Sequence, residues 1–204
     1  AVGSAVAVVL ISLLLAIAGT ARQPRVPVQL TVAPEAPQVN VLAIADWGDD
    51  TDMQRDVAHS MADYVERLGT ARFHAVLLAG DNFYVPLSGV DDIQWRRMFE
   101  DMFDPRRLPM PFYAVLGNHD YKDDHEQIEL EYARVHPESR WKMPARWYRV
   151  DLPDAHRPLV TVLMLDSNLW ALGETVFAEQ TAWLRDELAK PRLAPWMVGV
   201  AHHP

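Results

Sequence analysis

Three short apolar runs, residues 39–45, 74–79 and 112–116, are each followed at once by a cluster of acids, amides or histidine, and apolar residues between them recur at helical spacing. That alternation constrains the chain more than any other feature. Strand periods and helix periods separated by short polar turns fold as α/β units around a layered sheet. Met53, Val57, Met61, Tyr64, Val65 and Leu68 form one helical face, and Gly69 is placed to stop it. The same reading predicts helices over 93–103 and 124–135, and strands over 147–152 and 159–165 joined by a Pro-Asp turn. A helix over 175–190, with Phe177, Trp183, Leu184 and Leu188 as its core stripe, then leads to a strand over 196–200. Residues 39–204 therefore form one α/β domain.

The segments before it differ in kind. Residues 1–21 carry no charge and are long enough for either a signal-peptide core or a membrane anchor. Residues 22–38 hold four prolines and read as a linker. On either reading the domain is expected to be exported, and any membrane contact would run through 1–21. The last strand reaches almost to Pro204, so the fold is expected to continue past it. The chain has no cysteine, which excludes a disulfide scaffold, a Cys-ligated metal and a cysteine nucleophile. With 19 basic against 28 acidic residues and a net charge of −9, nucleic acid is excluded as a bulk partner.

The chemistry gathers at the strand ends. The first run ends in Asp46-Trp47-Gly48-Asp49, the second in Gly80-Asp81-Asn82-Phe83-Tyr84, the third in Gly117-Asn118-His119-Asp120, and the last in His202-His203-Pro204. Open α/β sheets bind ligands at the carboxyl ends of their strands. Asp46 and Asp81 are 35 residues apart, and Asp81 and Asn118 are 37 apart. Each interval is about one strand–helix–strand unit of ~30 or more residues, so each unit delivers one group of ligands. Any one cluster alone would read as a turn or a cap; together they converge.

In this order, Asp-x-Gly, Gly-Asp-Asn-x-Tyr, Gly-Asn-His-Asp and a strand ending in His-His-Pro resemble the purple acid phosphatases. These belong to the calcineurin-like metallophosphoesterases and include the tartrate-resistant acid phosphatases. Residues 78–84, 163–167 and 181–184 support the likeness, and Tyr84 with Gly48 in place of a histidine points to the purple branch. The resemblance implies an αββα fold, a β-sandwich flanked by helices, left incomplete at its C-terminal side in these residues. It also implies two metal ions, Fe(III) with Fe(II), Zn(II) or Mn(II). Asp81 would bridge them, Asp46 and Tyr84 would bind the first, and Asn118 and His202 the second. His203 takes no ligand role. Two such metals activate a trapped water for in-line attack on phosphorus. His119 would protonate the leaving alkoxide and Asp120 would hold the His119 tautomer, which together imply an acidic to neutral pH optimum.

One departure is plain. Such enzymes carry a Gly-His-x-His motif beyond the strand that closes this sequence, and these residues have none, so this stretch alone is expected to bind metal weakly and to turn over poorly. A small phosphate monoester is the expected substrate. The alternatives are a phosphodiesterase or nucleotide pyrophosphatase of the same superfamily, and a non-catalytic binding domain on a decayed phosphatase fold. Specificity is expected to lie in the loops at 85–92 and 122–125. Asp49, Asp50 and Asp52 are expected to cap the first helix, Arg96 and Arg97 to lie on a solvated helix face, and His59, His74, His125, His136 and His156 to be solvated or structural. Asp166 reads equally as support for the site or as a turn residue.

Overall fold

Parallel strands cannot be joined by tight turns, so the helical segments between them serve as crossovers. The computed structural model describes residues 37–204; the expected leader or anchor at 1–21 and most of the linker lie outside the described residues. The first sheet is all parallel and keeps chain order: β1 (Asn40–Ile44), β2 (Phe73–Ala79), β3 (Phe112–Val115) and β4 (Trp141–Lys142). Helix α1 (Asp52–Leu68) joins β1 to β2, and α2 (His125–Val135) joins β3 to β4. Strand β4 has only two residues, too short for a period to register in sequence.

The cap of α1 corrects the expectation that aspartates begin this helix. Thr51 is the N-cap, its hydroxyl accepting from Gln54 N–H at 3.3 Å. Asp49 accepts from the Thr51 N–H and hydroxyl, and Asp50 pairs with Arg55 at 3.1 Å and with Arg97. Only Asp52 lies in the first turn, where the helix dipole favours an acid. Gly69, at φ +98°, ends the helix as predicted.

The helix predicted over 93–103 is a π-helical turn, Trp95–Glu100, in which Asp101 N–H bonds to the Arg96 carbonyl five residues back at 2.8 Å. It lies where Trp95, Met98 and Phe99 crowd into the core together. Arg96 and Arg97 remain exposed, Arg96 bonded to Asp101.

The second sheet contains β5 (Tyr148–Leu152), β6 (Val160–Met164) and β7 (Trp196–Val200); β5 and β6 are antiparallel, β6 and β7 parallel. Alternate residues Tyr148, Val150 and Leu152 share one core with Val76, Leu78 and Phe112 of the first sheet. The Tyr148 hydroxyl donates towards carbonyls of Ala114 and Lys142, at 2.8 and 2.9 Å, pinning the sheets together. The layered α/β arrangement is therefore the one expected.

Helix α3 (Leu169–Ala189) begins six residues before the predicted start because a short first turn is joined to it across Gly173, φ +71°. Its apolar stripe is not core. Phe177 and Leu188 are exposed and Trp183 and Leu184 half-buried, while Leu172, Gln180 and Glu187 are the buried positions. Gln180 is drawn inward by Asp166, whose backbone it meets twice at 2.8 Å, and Glu187 by Arg149 and Lys190. Polar anchors, not hydrophobic period, set the rotation of this helix.

Candidate metal centre

The four clusters meet at one end of the sandwich. Asp46 and Asp81 sit just past β1 and β2 with φ +56° and +52°, a left-handed conformation that Asp tolerates better than most residues. The two loops are bonded to each other through Asp46 N–H to the Gly80 carbonyl (3.1 Å), Trp47 N–H to the Asp81 carbonyl (3.3 Å) and Tyr84 N–H to the Gly48 carbonyl (2.8 Å). Beside each outward residue an aromatic turns inward. Trp47 and Phe83 are buried with ring centroids 5.7 Å apart, and both join the cluster of Trp95, Phe99, Phe103 and Trp141. Trp95 is stacked flat on Tyr132. The reactive loops are thus held by the largest apolar side chains in the domain.

Gly48 is required by this close approach. A Cβ there would lie 1.7 Å from the Asn82 carbonyl oxygen, so neither alanine nor histidine fits without moving backbone. Gly48→Ala is expected to destabilise the domain by about 3 kcal/mol, read as a lowered urea midpoint at unchanged slope. A midpoint equal to that of the parent protein would show that the two loops are not packed this closely.

A carboxylate oxygen of Asp46, one of Asp81 and a ring nitrogen of His202 lie within 4.8 Å of one another. The Tyr84 hydroxyl is 3.1 Å from Asp46 Oδ1 and 2.9 Å from Asp81 Oδ2. His202 Nδ1 is 2.9 Å from the Ala79 carbonyl, which can only accept, so the ring proton is assigned to Nδ1. The Nε2 lone pair then faces Asn118 Oδ1 at 3.2 Å and Asp81 Oδ1 at 3.4 Å. With the ring proton on Nδ1, these three atoms present lone pairs to one another, an arrangement that one cation would satisfy. These hard oxygen and imidazole donors suit iron, zinc or manganese, and a carbonyl holding the far ring nitrogen is the usual support for a metal-binding histidine. The residues present fit a metal. Burial and the Asp81 and Asp46 carboxylates push the Tyr84 phenol above its ordinary pKa. A bound cation would neutralise those carboxylates and reverse the push.

Asp120 does not face His119, which corrects the role expected for it. It is fully buried and accepts from three backbone N–H groups, Asn82 (2.7 Å), Gly117 (2.8 Å) and Phe83 (3.2 Å). It clips the second loop to the third and leaves the imidazole to other partners. Beneath it lies Asn82, also fully buried, whose Nδ2 has three oxygens at hand: Val115 O at 2.9 Å, Asp120 Oδ2 at 3.1 Å and Glu129 Oε2 at 3.1 Å. Two N–H bonds cannot serve three oxygens fully. A proton on Glu129 resolves the shortfall, and Glu129 Oε1 has no other partner. Burial, and then the Asp120 charge, push Glu129 well above the usual carboxyl range. Burial pushes Asp120 up to about 6 against the pull of its backbone donors, so Asp120 is the partner equipped to stay ionised.

His119 donates its backbone N–H to Asp81 Oδ1 at 2.8 Å, and its ring packs on Tyr84 at 4.4 Å between centroids. Lys122 Nζ lies 2.9 and 3.3 Å from its two ring nitrogens. His203 turns to the Ser167 hydroxyl. Asp166 is buried and accepts from Tyr121, Asn168 and Gln180, so it supports the neighbouring loop and does not reach the cluster of acceptors. Its backbone N–H, not its carboxylate, meets the Gln180 amide oxygen. His125 is structural: its Nε2 accepts from Leu87 N–H at 3.1 Å and joins the two loops expected to set specificity. Glu129 supports the site without having been singled out in sequence, while Lys122 lies in a loop expected to set specificity. Asn82 stood inside a quoted motif, whereas Glu129 read as one more polar residue on a helix.

The sequence profile described as calcineurin-like phosphoesterase matches residues 39–204. Human tartrate-resistant acid phosphatase type 5 is 30% identical over 172 residues, 79% of this chain and 51% of that protein. Purple acid phosphatase 4 of Arabidopsis thaliana is 28% identical over 203 residues, 88% of this chain and 57% of its own length. The chain thus spans about half the length of these relatives. A solved structure described as GAP50, the anchor in the inner membrane complex of Plasmodium, superposes with a TM-score of 0.63 at 21% identity, covering 79% of this chain and 53% of that one.

Proposed function

The chain belongs to the calcineurin-like phosphoesterase family, and from that premise we propose that the protein hydrolyses small phosphate monoesters at a dinuclear metal centre of the acid phosphatase type. The observation that carries this reading is the convergence of the Asp46, Asp81, Asn118 and His202 donor atoms on one space. Asp46 and Tyr84 would hold one metal, Asn118 and His202 the other, and Asp81 both. A metal pair there would supply charge neutralisation on the phosphoryl group and a nucleophilic water. The chain's own residues do the rest. The Tyr84 ring and the Asp81 carboxylate hold His119 beside the reacting group, placed to give its ring proton to the leaving oxygen. The clip of Asp120 keeps the Asp81 and Asn118 loops at fixed spacing. An exported location goes with this reading, supported by the uncharged stretch at 1–21.

The test is turnover of an aryl phosphate by the full-length protein, supplied with iron, zinc or manganese. Activity is expected to require the metal, to fall above neutrality, and to be accompanied in the iron form by a visible tyrosinate-to-Fe(III) band. A second reading, a non-catalytic binding domain, is favoured by the likeness to the Plasmodium anchor. Metal-replete protein that turns over neither mono- nor diesters would establish it and remove the first.

A further inference from the structure

We propose that Lys122 is a specificity residue whose ammonium holds a second anionic group of the substrate, so that the preferred esters carry a carboxylate or a further phosphate close to the scissile phosphate. The inference rests on the phosphoesterase reading of the same centre. Lys122 N–H bonds to the His119 carbonyl at 3.0 Å, closing a turn that brings the side chain back to the His119 ring. Its ammonium forms no ion pair with any carboxylate among the described residues. Arg146, which reaches the neighbouring Tyr121 hydroxyl at 3.1 Å, pairs instead with Glu126 at 3.7 Å.

An imidazole nitrogen satisfies one of three ammonium N–H bonds, which leaves donors for a ligand. The side chain is exposed, so a ligand can reach it. The ammonium rests against His119, and that ring also packs on Tyr84, whose hydroxyl touches Asp46 and Asp81. A leaving group that passes His119 meets the Lys122 ammonium next. A second negative charge at that distance replaces the weak imidazole partner with a strong one.

The probes are phosphonoacetate, which carries a carboxylate beside a non-hydrolysable phosphonate, and methylphosphonate, which carries none. Their affinities for the metal-loaded full-length protein are measured by calorimetry, and their ratio is the readout, since direct chelation of metal by phosphonoacetate is common to all variants. Lys122→Ala is expected to reduce the ratio about tenfold and Lys122→Arg to restore most of it. A ratio unchanged by Lys122→Ala overturns the assignment while leaving the phosphoesterase reading intact. If neither probe binds the parent protein and no ester is turned over, both readings fall together.

Discussion

Asp81→Asn is expected to lower kcat/KM of the metal-loaded full-length protein by about a thousandfold, with loss of bound metal, while the domain stays folded. Asp81 is the one residue to which the other parts of the centre connect. Its Oδ1 accepts from His119 N–H at 2.8 Å and faces His202 Nε2 at 3.4 Å, while Oδ2 meets the Tyr84 hydroxyl at 2.9 Å. Asparagine preserves shape and can still accept from His119. It removes the negative charge, however, and turns an N–H2 group towards the space where acceptors converge. Steady-state kinetics together with elemental analysis make the check. An Asp81→Asn protein with full metal content and near-parental turnover would falsify the dinuclear reading.

The second large effect concerns stability, and its sign differs between two neighbouring acids. Asp120→Ala strips the acceptor from three backbone N–H groups in a site that water does not reach. The expected cost is about 3 kcal/mol, or roughly 10 °C in Tm for a domain of this size. Glu129→Gln runs the other way. Its amide oxygen can accept from Asn82 and its N–H can donate to Asp120, which supplies permanently the hydrogen that Glu129 must now borrow from solvent. Glu129 is held protonated by burial and by Asp120, so its folded pKa lies above its ordinary 4.5. A raised acid leaves stability intact below its unfolded pKa and loses it as pH climbs towards the folded value. The gain of Glu129→Gln over the parent should therefore be near zero below about pH 4 and grow to about 1 kcal/mol by pH 8. Thermal melts of both proteins across that range measure it, and a difference independent of pH would show that Glu129 titrates alike in the folded and unfolded states.

These two cases show where sequence reading works and where it stops. The first three strands of the first sheet, the stop at Gly69 and the order of the ligand-bearing loops were legible because each is a local pattern: an apolar run, a period, a turn residue. The motif residues Asp46, Asp81, Tyr84, Asn118 and His202 come together because each follows a strand, and parallel strands put their carboxyl ends at one side. Thr51 in place of an aspartate as the cap is a local matter decided by one hydroxyl. The π-helical turn at Trp95–Glu100 escaped notice because its residues have ordinary helical spacing in sequence.

Direction is what sequence does not carry. Asp120 stands next to His119 in the chain, yet its backbone turns the carboxylate into the protein, where the N–H groups of Asn82, Phe83 and Gly117 await it. Glu129 looks solvated by composition and is buried against that carboxylate, because α2 rotates it under Asn82. Trp183 and Leu184 look like core and are half-exposed, because Gln180 and Glu187 hold the opposite side of α3 inward. Covalent order and hydrophobic period alone determined the α/β units and their sequence, and the strand-end motifs carried the family likeness. The roles of Asp120 and Glu129 were decided only by tertiary structure, because a buried polar group takes its meaning from partners 3 Å away in space that may lie forty residues away in the chain.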